Sequence, residues 1–195
     1  MDALNELGAP LAIRLRAAME GRGVERRSIL RMIPPAPPDQ KEAVLRESAL
    51  MASLRSELSR ADALTALEGL GASLVERLYA TLEGRGASSR LLLRQLEGIT
   101  PDEKARVLQD RALLDLMRAD LSRSDMLRVL ERLDAPSPVR LGAAVDERGA
   151  DSNAAIDISS RATEPERQQI LGDSALMDRL SQGLDRRTGQ QVLTN

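Results

Sequence analysis

Residues Pro101–Leu133 read PDEKARVLQDRALLDLMRADLSRSDMLRVLERL. Sixty-three residues earlier Pro38–Leu70 reads PDQKEAVLRESALMASLRSELSRADALTALEGL, and sixty-three residues later Glu164–Val192 reads EPERQQILGDSALMDRLSQGLDRRTGQQV. The two offsets are equal and need no gap, so the chain reads as three copies of one stretch. In each copy three large apolar residues recur every four positions: Leu50, Leu54 and Leu58, then Leu113, Met117 and Leu121, then Leu176, Leu180 and Leu184. That spacing lines one face of a helix.

Working outward, the copies are residues 10–72, 73–135 and 136–195, preceded at 1–9 by the end of a helix of the last type. In the first copy Pro10 suits a helix start, and Leu11, Leu15, Ala18 and Met19 form its stripe up to Gly21-Arg22-Gly23. A second helix spans about 25–33 and stops at the proline run 34–38. A third, about 40–46, has Asp39 as its expected cap. A fourth covers about 48–58, and a fifth starts at Ser59 with Asp62 in its first turn. The second copy repeats this order, with Thr100-Pro101-Asp102-Glu103 spaced as a capping box. The third is degraded. Glu147-Arg148-Gly149 replaces Gly-Arg-Gly, Ala150–Thr163 predicts at best a weak helix or a partly ordered loop, and Thr188 replaces the acid. The expected fold is therefore all-α, with tandem repeats of about 63 residues, each of about five short helices that need their neighbours for stability. A closed bundle and a short solenoid both fit. The register starts and stops inside a copy. A fragment, a terminus on which a further element packs and a frayed end are all compatible with that.

The composition narrows the chemistry. Hydrophobic residues make up 42% of the 195, enough for a core, and Tyr79 is the only aromatic, so that core is aliphatic. There is no cysteine or histidine, which excludes disulfides, thiolate nucleophiles, histidine bases and ordinary zinc or haem ligation. Twenty-eight Lys and Arg against thirty Asp and Glu leave a net charge of −2, with no global pull toward nucleic acid or anionic membrane. The most basic region holds Arg14, Arg16, Arg22, Arg26, Arg27 and Arg31. It suits phosphate or an acidic partner, and no aromatic residues interleave to stack bases. Carboxylates stand at caps and on charged helix faces, and no pair stands out as acid and base, so an enzyme is not expected. No apolar run is long enough to span a membrane and the N-terminus is no signal peptide, so the chain is expected in the cytoplasm or exported without a classical signal.

Gly21-Arg22-Gly23 and Gly84-Arg85-Gly86 are not nucleotide loops, since no strand precedes them and no Lys-Ser or Lys-Thr follows. They are chain turns that end a helix, or turns whose exposed carbonyls serve a hard cation. Here Gly21–Leu67 resembles an annexin repeat. Gly21-Arg22-Gly23-Val24 is similar to the family's Gly-x-Gly-Thr turn, and Leu54-Arg55-Ser56-Glu57-Leu58-Ser59-Arg60 to the segment before its last helix. The resemblance implies five helices per repeat in an annexin-like bundle and calcium bridging to anionic phospholipid. Its ligands would be carbonyls of Met19, Gly21 and Gly23 with the Asp62 carboxylate, then Leu82, Gly84, Gly86 and Asp125. Val24 and Ala87 depart from the family's threonine, and the third copy lacks both the first glycine and the acid. Similar leucine- and arginine-rich repeats occur in large bacterial proteins beside toxin or contractile-injection modules, which implies a structural, adaptor or carrier role without a cofactor. Two expectations stand: a non-catalytic module that binds another protein, through Arg22, Arg26, Arg27 and Arg31, or a calcium-dependent membrane binder.

Overall fold

The computed structural model describes residues 9–20, 26–83, 88–146 and 149–194. Among them lie fifteen helices and one two-stranded ribbon, so the fold is all-α in class. The chain divides into two compact units, Met1–Gln95 and Leu96–Asn195. The division falls inside the second 63-residue copy, away from the register boundaries at 72/73 and 135/136. Packing gives the reason: the helices on either side of residue 72 lie against each other, as do those on either side of residue 135.

The first unit holds α1 (Leu11–Glu20), α2 (Arg26–Met32), α3 (Pro38–Arg46), α4 (Ser48–Glu57), α5 (Arg60–Leu70), α6 (Leu74–Leu82) and α7 (Ser89–Gln95). Helix α1 packs on α2, α3 and α4, α2 on α5, α5 on α6, and α6 on α7. Leu11, Leu15, Ile29, Ile33, Leu54 and Leu67 are buried between them. The second unit holds α8 (Pro101–Gln109), α9 (Arg111–Asp120), α10 (Arg123–Arg132), α11 (Ser137–Ala144), the strands β1 (Val145–Asp146) and β2 (Gly149–Ala150), α12 (Ser152–Ser160), α13 (Glu164–Gly172), α14 (Ser174–Gly183) and α15 (Arg186–Thr194). Helix α10 packs on α11, α11 on α12, α13 and α14, and α12 on α15. Leu141, Ala144, Ala155, Leu176 and Leu180 fill the core of its later part.

Local chemistry starts and stops these helices. The Thr100 hydroxyl accepts from the Glu103 N–H while the Glu103 carboxylate accepts from the Thr100 N–H at 2.9 Å, the expected capping box. Ser73 with Glu76 and Thr163 with Glu166 form two more. Asp39 does not cap α3. That helix starts two residues earlier, at Pro38, which places Asp39 inside the first turn, where its charge favours the helix dipole. Ala150–Thr163 is also better ordered than its composition suggests. The Asp151 carboxylate accepts from the Ala154 N–H at 3.0 Å, and Ala155 and Ile158 are buried, so α12 runs a full nine residues. The ribbon, pairing Val145 with Ala150 and Asp146 with Gly149, has no alternating apolar run to announce it.

Helices α5 and α10 end in the same way. The Ala72 N–H donates to the Leu67 carbonyl and the Gly71 N–H to that of Glu68. Ala135 with Leu130 and Asp134 with Glu131 repeat the pair. This closure needs a left-handed residue, supplied by Gly71 (φ 76°) and by Asp134 (φ 52°). Glycine adopts that conformation without the cost an L side chain incurs. Asp134→Gly is therefore expected to stabilise the second unit by about 0.5 kcal/mol, less any loss of the exposed Lys104–Asp134 ion pair. A rise in the urea midpoint reads it.

Candidate functional site

Of the groups singled out by sequence, Asp62 and Asp125 lie in the first turns of α5 and α10, and Arg26 stands at the start of α2. Asp62 lies in the first turn of α5 and is 8% exposed. Its carboxylate pairs with the Arg26 guanidinium at the start of α2, the helix packed on α5. It also accepts from the Ser59 hydroxyl, which in turn accepts from the Asp62 N–H at 3.4 Å. Burial pushes the Asp62 carboxyl up, but the Ser59 hydroxyl and the Arg26 guanidinium together outweigh it and hold the group below its ordinary value. Buried and ion-paired in this way, Asp62 is anionic at neutral pH.

Asp125 repeats part of this arrangement. The Ser122 hydroxyl donates to it at 2.8 Å, and Arg128 stands 3.6 Å away on the next turn. In the third copy the two residue types change places. Asp185 stands in the register of Ser59 and Ser122, and Thr188 in that of Asp62 and Asp125. The Thr188 hydroxyl donates to Asp185 at 2.6 Å and the Thr188 N–H at 3.0 Å. Those bonds, the hydroxyl's foremost, lower the Asp185 carboxyl below its ordinary value. The carboxylate and hydroxyl remain paired, with their positions exchanged.

Of the turn itself, Gly21, Arg22, Gly23, Gly84 and Gly86 lie outside the described residues. Met19 is half-buried against the first core, and Leu82 is buried at the end of α6. In the third copy Gly149, which has the register of Gly23 and Gly86 in the sequence, lies among the described residues. Its carbonyl accepts from the Arg123 Nη2 at 2.8 Å, and the same guanidinium meets Asp146 at 2.6 Å. Arg60, in the same register as Arg123, donates to the Glu83 carbonyl at 3.2 Å, and Glu83 has the register of Asp146. Glu83 also pairs with Arg55 at 2.8 Å. An arginine from one fifth-type helix thus grips the chain just beyond the next first-type helix. The sequence carried a signal for this, an arginine at 60, 123 and 186 with an acid at 20, 83 and 146.

A second staple ties first-type to third-type helices. The Gln40 Oε1 accepts from the Leu11 N–H at 2.9 Å, and the Glu166 Oε1 accepts from the Ser137 N–H at 2.8 Å. Glu166 also accepts from the N–H and hydroxyl of Thr163, both at 2.9 Å. The Ser137 N–H first, then that of Thr163, hold the Glu166 carboxyl down at about 2.

Arg26 is committed to Asp62, while Arg27 and Arg31 are exposed on α2. Among the described residues no three acidic side chains gather as metal ligands, and no helix is long and apolar enough to cross a membrane. No family model matches the sequence, and no curated protein matches it.

Proposed function

We propose that the chain is a non-catalytic, annexin-like array of 63-residue helical repeats that binds a protein partner or seats in a larger assembly. Several features support the array. The third-type helices α3, α8 and α13 start at 38, 101 and 164, a constant step of 63. Leu50, Leu113 and Leu176 are all buried. The pairings of α1 with α2, α3 and α4, and of α2 with α5, recur as α11 with α12, α13 and α14, and α12 with α15. A structural, adaptor or carrier role in a bacterial toxin or contractile-injection setting is part of the proposal and rests on the sequence resemblance alone.

One observation favours protein binding over calcium: arginine holds the groups a cation would need. Arg26 pairs with the Asp62 carboxylate and Arg123 with the Gly149 carbonyl. A calcium ion entering the first turn would have to displace the exposed Arg26 guanidinium from the buried Asp62 carboxylate, whose charge that pair already balances. Arg27 and Arg31 meanwhile offer an exposed basic face to an acidic partner. The test is a calcium titration with and without acidic liposomes. The expected result is an unchanged melting temperature and no pelleting. Calcium-dependent pelleting that disappears in Asp62→Asn with Asp125→Asn would establish membrane binding instead.

A further inference from the structure

Helices α2 and α7 of the first unit carry arginine and no acid, reading RRSILRM over Arg26–Met32 and SRLLLRQ over Ser89–Gln95. Arg26 is taken by Asp62. Arg27, Arg31, Arg90 and Arg94 are exposed, and among the described residues their guanidinium groups find no ion pair or hydrogen bond. Residues four apart share a helix face, so each helix presents a pair of these groups on one side. Half-buried Leu30 and Leu93 lie beside the pairs, three residues after Arg27 and Arg90. A cation in the first turn opposes the helix dipole, so Arg27 and Arg90 do not serve the stability of their own helices.

Both helices end against α5. Ile33, just past α2, lies so near Gly69 that a Cβ there would meet it at 2.9 Å. The Gln95 amide, closing α7, donates to the Glu68 carboxylate at 2.9 Å. Arg31 and Arg94, each in the last turn of its helix, thus come to the same end of α5. The two acids of α5 are already engaged, Asp62 by Arg26 and Glu68 by Gln95. The first unit holds fourteen Lys and Arg against twelve Asp and Glu, the second fourteen against eighteen, so an acidic ligand is drawn to the first. In the third copy Asn153 and Asp157 take the places of the arginine pair, and Asp157 meets Arg161 at 2.8 Å. Helix α12 forms without that pair.

We infer that α2 and α7 together bind an acidic protein segment in which carboxylates are interspersed with apolar side chains. The carboxylates meet the four free guanidinium groups, and the apolar residues cover Leu30 and Leu93. A phosphate chain has nothing to set against those leucines, and neither helix carries an aromatic side chain to stack a base. The inference rests on the protein-binding reading above. It adds α7 to the surface and names the chemistry of the partner.

Titration of the full chain with fluorescently labelled poly-L-glutamate, a glutamate–leucine copolymer, polyphosphate and duplex DNA tests it. The copolymer should bind most tightly, and its affinity should fall as salt rises. Arg27→Glu with Arg31→Glu should weaken copolymer binding at least about tenfold, and so should Arg90→Glu with Arg94→Glu. Neither pair should lower the melting temperature, because an acid in the first turn suits the dipole. Arg186→Glu with Arg187→Glu, exposed on α15 and equal in charge change, should leave binding unchanged. No copolymer binding, polyphosphate or DNA bound as tightly as the copolymer, or an equal loss in the α15 control each overturns the inference. So does a loss confined to one arginine pair, which would leave the other helix outside the surface. None of these results bears on the calcium titration, which decides the protein-binding reading on its own.

Discussion

Leu113→Ala is expected to lower the unfolding free energy of the second unit by about 2–5 kcal/mol, the range for emptying a packed leucine site. Leu113 is fully buried on α9. Leu50 at 3% and Leu176 at 1% exposure stand in the same register on α4 and α14, so Leu50→Ala and Leu176→Ala should fall in the same range within their own units. Leu171→Ala, at an exposed position one helix away, should change monomer stability by less than about 0.5 kcal/mol. Urea unfolding followed by circular dichroism reads all four. A loss below about 1 kcal/mol at one of the three buried sites would count against a common packing environment.

Glu166→Ala should be the costliest polar substitution among those considered, because it strands the Ser137 N–H at the start of α11 and opens the Thr163 capping box. Hydrogen bonds to a charged acceptor contribute about 1.5–3 kcal/mol each before solvent screening, and a net loss of about 2 kcal/mol at neutral pH is expected. The pH dependence has a definite sign. The carboxyl sits near 2 in the folded chain against an ordinary 4.5. Its stabilisation is thus complete above the ordinary value and is lost as pH falls toward 2. Glu166→Gln separates charge from geometry. Gln40 already makes the neutral version of this staple to Leu11, so the glutamine variant should keep most of the stability at neutral pH. Stability in that variant should lose its dependence on this group between about pH 5 and pH 2. If Glu166→Gln is as unstable as Glu166→Ala, the charge rather than the hydrogen bond to Ser137 holds α11 in place.

Much of the helical order was legible because its causes are local. A leucine every four residues sets a buried face, and a hydroxyl followed three residues on by glutamate sets a start. Both signals sit inside one or two turns. The misreadings have long-range causes. Helix α12 is held by Ala155, buried against its neighbours, although SNAAIDISS contains little large apolar surface. The grip of Arg123 on Asp146 and the Gly149 carbonyl spans more than twenty residues; the recurring arginine and acid were the only trace of it, since its backbone half carries no sequence signature. At the candidate site, Asp62 was legible as a cap and a carboxylate of note. Its pairing with Arg26 was not, because both residues look like ordinary surface charge until α2 is laid on α5.

The aliphatic interior has a spectroscopic consequence. Tyr79, the only aromatic residue, stands on α6 in the first unit. Its near-ultraviolet absorbance and emission follow events in that unit alone, whereas far-ultraviolet ellipticity sums both. Recorded together during melting, the two signals separate the order in which the halves lose structure, with no dye or introduced tryptophan needed.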